Sequence, residues 1–196
     1  GGGFFRYSVD RYWLIPHFEK MLYDNAALLA LYAHALKATG ESLFEKIASE
    51  TAGWVMREMQ DLGGGYYATL DADSEGEEGK FYLWTQKEFE SLLDKDEAKV
   101  AGQYFGVTNG ANFENASHLY VAEQLDSLAQ NLGLTAPNTK TLLDHSRSKL
   151  LTARGKRTWP NKDSKVLVSW NGLMIGGMAI AARCLMREDF AASATQ

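Results

Sequence analysis

The chain has 196 residues, of which 45% are hydrophobic and 23% charged, with a formal net charge of -5. This composition is typical of a globular domain with a sizeable core, and the lack of a Lys/Arg stripe argues against a nucleic-acid surface. A single cysteine excludes an internal disulfide framework and favours a reducing, cytoplasmic setting. We expect no membrane span and no cofactor, because neither a long uninterrupted apolar run nor a cofactor motif occurs.

Two glycine-rich aromatic stretches, GGGFFRYSVD at 1–10 and GGGYYATLD at 63–71, form an internal repeat of roughly sixty residues. Two helices are predicted between them. The first, about 16–38, is apolar almost all round and should be buried, whereas the second, about 42–60, is amphipathic. An inner helix followed by an outer helix predicts an α-hairpin array rather than a βαβ fold. Because the chain begins inside a motif, we expect it to be a piece of a longer protein.

The rest of the chain is predicted to be mostly helical. Residues 66–70 and 80–84 have the alternating aromatic character of two strands, so they predict a β-hairpin with an acidic tip. Thr85 and Glu88 predict a capping box at the start of the next helix. The remaining helices are predicted at about 86–93, 97–104, 122–132, 138–153 and 169–186, the last of them capped by Ser169 and again apolar all round. The predicted fold class is therefore all-α, an α-hairpin array with short β-hairpins in the loops.

Polar residues interrupt the apolar face of the first predicted helix. His17, Met21 and Asp24 fall within one narrow arc at 100° per residue, and Asn25 lies beside them. A carboxylate on a buried face must be paired, hydrogen-bonded or protonated, which is the environment that shifts pKa values. Two interpretations follow: these residues brace neighbouring loops, or they form a ligand-facing cluster.

The acidic tip DADSEG at 71–76 resembles the first half of a calcium-binding loop. Tyr82 stands where that loop needs a bidentate Glu, so we predict no metal site, and a solvated tip or an ion pair with Lys80 fits better. Asp71 and Asp73 have the same side-chain parity in an extended backbone. Paired carboxylates beside aromatic residues are what glycoside chemistry uses.

Four motifs in consistent order closely resemble the bacterial thioredoxin-domain-containing proteins related to spermatogenesis-associated protein 20. They are RYS at 6–8, WLIPHFEKMLYDN at 13–25, LDADSEGEEGKFYLWT at 70–85 and SWNGLMI at 169–175. The resemblance implies a thioredoxin-like domain followed by an (α/α)6 toroid, similar to N-acylglucosamine 2-epimerases and six-hairpin glycosidases. Residues 1–196 would then form a partial toroid of about three hairpins with no thioredoxin-like domain.

The leading hypothesis is a carbohydrate-binding or carbohydrate-processing cleft of a sugar isomerase, an epimerase or a glycoside hydrolase. His17, Asp24, Asp71 and Asp73 would transfer protons. The residues that would bind the sugar-like substrate are Arg6, Tyr23, Asn25, Glu75, Lys80, Trp84, Lys165, Trp170 and Asn171. The alternative is a non-catalytic docking module of a thioredoxin-like-domain protein. A partial toroid would also expose apolar edges, so we expect self-association.

Overall fold

The computed structural model describes all 196 residues and contains eight α-helices. In chain order they are α1 Leu22–Thr39, α2 Ser42–Trp54, α3 Gln86–Ser91, α4 Lys95–Tyr104, α5 Leu125–Leu132, α6 Ala136–Arg154, α7 Val168–Leu185 and α8 Glu188–Thr195. A π-helical turn, Val55–Met59, continues α2, and a 3-10 turn covers Val107–Asn109. The strands are β1 Lys20–Met21, β2 Thr69–Leu70, β3 Asp73–Ser74, β4 Glu77–Glu78 and β5 Lys162–Asp163. The predicted all-α class with short β-structure in the loops is confirmed, and closure into a toroid stays an expectation of the resemblance.

The chain divides into two compact units. The first unit contains residues 1–7, 17–73 and 160–196, and the second contains residues 8–16 and 74–159. Both pieces of the second unit are therefore inserted, in sequence, within the first. Each unit combines separate stretches of sequence. A search for a single linker in the sequence would therefore not identify the two units.

The first unit is built on α1 and α7, which pack against each other, with α2 against α1 and α8 against α7. These four helices enclose one apolar core. Its largest members are Leu22, Leu29, Trp54, Met59, Tyr66, Leu70, Met174, Met178 and Phe190. The opening glycines lie on this core: Gly3 has a φ of +73°, and a Cβ there would lie 2.4 Å from Trp54 Cδ2. A side chain at this position would therefore displace the tryptophan.

Two adjacent glycines in α7 should respond in opposite ways to an added methyl group. A Cβ at Gly177 would lie 2.8 Å from the Ala26 carbonyl oxygen of α1, whereas a Cβ at Gly176 meets nothing within 4 Å. We expect Gly177→Ala to lower the free energy of unfolding by about 1–2 kcal/mol, because the two helices must separate. Gly176→Ala should raise it by roughly 0.5–1 kcal/mol through helix propensity. Urea unfolding of both variants measures the difference, and equal shifts of the same sign would contradict the close approach of α1 and α7.

The first helix begins at Leu22, so the predicted start near residue 16 is wrong. The segment before it is extended: the His17 N–H donates to the Tyr7 carbonyl oxygen at 2.8 Å, and Lys20 and Met21 pair with Leu70 and Thr69. His17 and Met21 therefore do not share a helical arc with Asp24. Apolar spacing alone could not exclude this strand, because its partner lies about fifty residues away in sequence.

The predicted hairpin between residues 66–70 and 80–84 is also wrong. β2 is instead the central strand of a three-stranded antiparallel sheet in the order β1-β2-β5, and Leu70 pairs with Lys20 on one side and Lys162 on the other. The acidic stretch forms its own small hairpin from β3 and β4. Trp84 forms an isolated bridge with Ser117.

The second unit encloses a separate core between α3, α4, α5 and α6. Trp84, Phe89, Val100, Leu128, Leu143 and Leu150 are its buried members. The Thr85 hydroxyl caps α3 as predicted by accepting from the Glu88 N–H at 3.2 Å. The complete capping box lies one helix further on, where the Asp94 and Glu97 side chains each accept from the other residue's backbone N–H. This exchange satisfies two of the unpaired donors at the start of α4.

The helix α7 has the length and mean hydropathy (1.2) that a membrane span would need. A single helix of this kind is weak evidence for a membrane, since core helices share its composition. Leu173 and Ile175 on this helix remain largely exposed. The expected self-association through apolar edges stays a prediction.

Candidate functional site

Side-chain burial alternates strictly along the chain around β2. Residues 66, 68, 70 and 72 are buried, whereas 67, 69 and 71 are partly exposed. The same alternation holds before α1, where Phe18 and Lys20 are buried between the partly exposed His17 and Glu19. Because successive strand residues point to opposite faces, the sheet has one face in the core and one polar, accessible face.

The register and the alternation of burial around it assign five polar residues to the accessible side of the sheet. The Thr69 hydroxyl contacts Met21 Sδ at 3.0 Å, so these two side chains share that face. Glu19 comes directly before β1, and Asp71 comes directly after its partner strand β2. Asp163 stands opposite Thr69 on the other side. We call His17, Glu19, Thr69, Asp71 and Asp163 the polar sheet face.

Glu19 is the centre of the polar sheet face. Its Oε2 lies 3.1 Å from Arg6 Nη1 and 3.7 Å from His17 Nε2. The backbone supports the first contact, since the Arg6 N–H donates to the Glu19 carbonyl oxygen at 3.0 Å. The pKa of Arg6 is raised, chiefly by its hydrogen bond to Glu19 and then by the phenol of Tyr23. One carboxylate therefore hydrogen-bonds a guanidinium and lies close to an imidazole.

Asp24 in the first turn of α1 belongs to the same electrostatic cluster. Burial raises the pKa of its carboxyl, Arg6 opposes that rise and Glu19 adds to it. Its Oδ2 atom is buried without a hydrogen-bond partner. A carboxyl in this setting keeps its proton to higher pH than usual and can donate it.

Aromatic rings flank this cluster. The Tyr7 ring stacks on the His17 imidazole with centroids 4.9 Å apart, and Tyr23 meets Trp170 edge to face at 4.8 Å. Tyr7 is about half exposed, while Tyr23 and Trp170 are partly exposed. Flat, half-exposed rings beside hydrogen-bonding groups suit the apolar faces and hydroxyl rims of sugars.

Charged groups continue along the sheet beyond Glu19. The Asp71 N–H donates to the Asn161 carbonyl oxygen at 2.9 Å, which holds Asp71 in the sheet. Lys165 Nζ lies 3.0 Å from Asp163 Oδ2, and their hydrogen bond lowers the pKa of Asp163. No group of three or more His, Cys, Asp or Glu side chains has the geometry to hold a metal ion.

Asn25 and Asn171, predicted as substrate ligands, are buried and use their amides for the backbone. Asn25 accepts from the Phe4 N–H at 2.6 Å and donates to the Phe4 and Met21 carbonyl oxygens. Asn171 does the same with the Tyr66 N–H at 2.7 Å and with the Tyr66 and Leu167 carbonyl oxygens. Each asparagine therefore clamps the aromatic residue after one GGG stretch, so the sequence repeat is also a repeat of hydrogen bonds.

The other predicted site residues are not part of the polar sheet face. Asp73 is exposed in β3. Within the second unit, Lys80 Nζ pairs with Glu77 at 2.6 Å and with Glu75 at 3.5 Å, so it partly neutralises the acidic tip. Glu75 and Lys80 line a cleft of about 950 Å³ in that unit. Trp84 is buried beneath the Arg157 guanidinium, 3.9 Å from its ring centroid.

Sequence reasoning missed Glu19 as a site residue. The signal was present, since HFE at 17–19 places His17 and Glu19 on one side of an extended backbone with Phe18 on the other. A helical interpretation of this stretch hid the alternation.

The fold and the site together define an all-α protein with a cluster of ionisable side chains beside the start of α1. No protein-family model matches the chain. The chain is 36% identical to human spermatogenesis-associated protein 20 over 213 residues, which cover 96% of this chain and 27% of that protein. The rat protein matches at 36% over 220 residues, with 100% and 28% coverage. An uncharacterized Caenorhabditis elegans protein is 34% identical over 92% of this chain and 28% of its own length.

Over nearly its whole length the chain is homologous to part of spermatogenesis-associated protein 20, as its four motifs predicted. It spans little more than a quarter of the length of the curated relatives it matches. Among solved structures, the crystal structure of D-mannose isomerase aligns with 99% of this chain and 43% of its own, at 14% identity and a TM-score of 0.35. A similarity of that size is too weak to assign an architecture.

Proposed function

We propose that the polar sheet face is a proton-transfer site for a carbohydrate, of the kind that sugar isomerases and epimerases use. The observation that carries this proposal is the position of Glu19 between Arg6 and His17. Isomerisation needs a base that removes a proton from the carbon next to a carbonyl and an acid that supplies one to the product. It also needs a positive group near the carbonyl oxygen, where negative charge develops.

The residues of the first unit can fill these roles. His17, 3.7 Å from Glu19, is suited to carry the proton, and Asp71 directly follows the neighbouring strand β2. Arg6 is the positive group, and its largely exposed guanidinium can reach a ligand oxygen. Asp24 supplies a carboxyl whose pKa is raised by burial. We leave Asp73 outside this site because it is exposed in a separate strand.

A non-catalytic docking module is the second candidate, and the two asparagine clamps favour it. They show that buried polar side chains in this chain can serve the backbone alone. Under that hypothesis, the contacts of Glu19 would also be structural. Replacement of Glu19 would then lower stability without altering any sugar-dependent activity.

Proton exchange in heavy water tests the proposal. The full chain is incubated with a panel of aldoses, ketoses and disaccharides, and proton NMR follows deuterium entering the carbon next to the carbonyl. We expect Glu19→Gln to slow this exchange by about 100-fold or more, because His17 loses its neighbouring carboxylate. Glu45→Gln, an exposed carboxylate of α2, is the matched control and should leave exchange unchanged. A parent protein that neither binds nor exchanges any sugar, with a large loss of thermal stability in Glu19→Gln, would favour the docking module.

A further inference from the structure

The second unit contains a cleft whose side chains have no part in the polar sheet face. Its volume is about 950 Å³, and every residue that lines it lies between Ser74 and Thr158. The β3–β4 hairpin and the turn at residues 113–116 supply carboxylates, and the segment after α6 supplies Lys156 and Arg157. Small-molecule sites in proteins are concave, with volumes of about 300–1,000 Å³. We call this cavity the hairpin cleft.

The Arg157 guanidinium ties together the segments that form the hairpin cleft. Its Nη1 donates to the Phe81 and Leu83 carbonyl oxygens at 2.8 Å each. Its Nη2 donates to Glu88 Oε1 at 2.7 Å, and the group lies 3.9 Å from the Trp84 ring centroid. The Arg157 charge is therefore used within the unit. A cleft held in this way exists before a ligand arrives, so binding costs little conformational entropy.

The lining of the hairpin cleft stays acidic when its internal ion pairs are counted. Five glutamates line it against three basic residues. Two of these basic residues, Arg157 and Lys80, already pair with glutamates of the lining. Glu114 is exposed and forms no ion pair, and Lys156 is the one remaining cation. Because a concave surface of one sign focuses its field, this lining attracts a positively charged ligand.

Two glutamates of the lining adopt a backbone conformation that is rare for their type. Glu75 has a φ of +55° and Glu114 a φ of +51°, each at the tip of a turn. Glycine, asparagine and aspartate are the usual residues at such positions, and Gly76 and Asn115 stand next to them. Unfavourable conformations of this kind cluster at ligand sites, where the side chain itself is needed.

We propose that the hairpin cleft binds a linear aliphatic polyamine. Its ammonium groups would pair with the exposed carboxylates, above all that of Glu114. Its polymethylene segments would pack on Phe113 and Leu83, which are partly exposed in the cleft, and an aromatic face also attracts an ammonium group. A bare metal ion would use none of this apolar surface, and no carboxylate group here has the geometry to hold one. A neutral sugar would leave the Glu114 charge unpaired, so this ligand differs in class from that of the polar sheet face.

Calorimetric titration of the full chain with spermidine tests the proposal. We expect one bound spermidine per chain, and we expect Glu114→Gln to weaken its affinity by about tenfold, because a charge-assisted hydrogen bond is lost. Glu90→Gln is the matched control: it removes the same charge from an exposed position of α3 outside the cleft and should leave affinity within about twofold. Thermal unfolding of both variants should match that of the parent, since both side chains are exposed.

Titrations with Mg²⁺ and with a tetralysine peptide complete the test. Spermidine binding that Glu114→Gln weakens and Glu90→Gln does not weaken supports the proposal. Equal affinity in the two variants would overturn it, because the attraction would then come from net charge alone. Mg²⁺ binding as tight as that of spermidine would overturn it too, since the apolar surface would contribute nothing. Binding of tetralysine without binding of spermidine would make the cleft a docking site for a basic peptide, and absence of all binding would remove it as a cation site.

Discussion

Replacing Asn171 with alanine should lower the free energy of unfolding by about 3 kcal/mol or more, since each orphaned buried partner costs roughly 1–3 kcal/mol. The amide accepts from the Tyr66 N–H at 2.7 Å and donates to the Tyr66 and Leu167 carbonyl oxygens at 2.9 and 3.1 Å. Tyr66 is itself buried, so water does not replace these bonds. The loss should therefore approach the full desolvation penalty of the groups left behind.

Chemical denaturation of the full chain measures this loss, and two further variants make it interpretable. Asn25→Ala removes the equivalent clamp on Phe4 and should destabilise by a similar amount. Asn161→Ala removes an exposed amide side chain of the same unit and should change stability by less than about 0.5 kcal/mol. If Asn171→Ala and Asn25→Ala each lowered the free energy of unfolding only slightly, the hydrogen bonds of these two asparagines would not be what holds the glycine-rich stretches in place.

Sequence patterns predicted the helical part of the fold well because helix signals are local. The apolar circumference of residues 168–185 and the glycine at the end of α1 are both visible in a short window. The sheet was not predictable in the same way, since Lys20 pairs with Leu70 and Leu70 with Lys162 across long insertions. A strand of two residues is too short to show the alternation of apolar and polar residues that identifies a strand. The apolar spacing of the same stretch also fits a helix, so the sequence favoured a helix.

The sequence predicted most of the residue types in the candidate site, but it did not predict which of these residues contact one another. His17, Asp24 and Arg6 share the neighbourhood of Glu19, yet the sequence did not single out Glu19 itself. Asn25 and Asn171 show the opposite case. They were predicted to contact a ligand, but in the structure their side-chain amides hydrogen-bond to backbone groups. Hydrogen-bond partners of this kind depend on which loop lies against the helix, and periodicity does not contain that information.

Asp71→Asn should reduce any sugar-dependent proton exchange by about 100-fold or more, whereas Asp73→Asn should leave it within about twofold. The sequence treats these two residues alike, because they have the same parity and sit in one acidic motif. The structure separates them: Asp71 is partly exposed and its N–H donates to the Asn161 carbonyl oxygen, whereas Asp73 is exposed in β3. Loss of the Asp71 charge removes a proton acceptor from the polar sheet face while keeping the size of the side chain.

The same pair of variants distinguishes a chemical role from a structural one. Asp71 Oδ1 accepts from the Ala72 N–H at 2.7 Å, and an asparagine oxygen can keep that bond. Thermal unfolding of Asp71→Asn should therefore match that of Asp73→Asn and of the parent. Exchange in heavy water is measured on all three proteins with the same sugar. Exchange at the parent's rate in both variants would remove Asp71 from the site. An equal loss in both would include the acidic tip in the chemistry, as the sequence pattern first indicated.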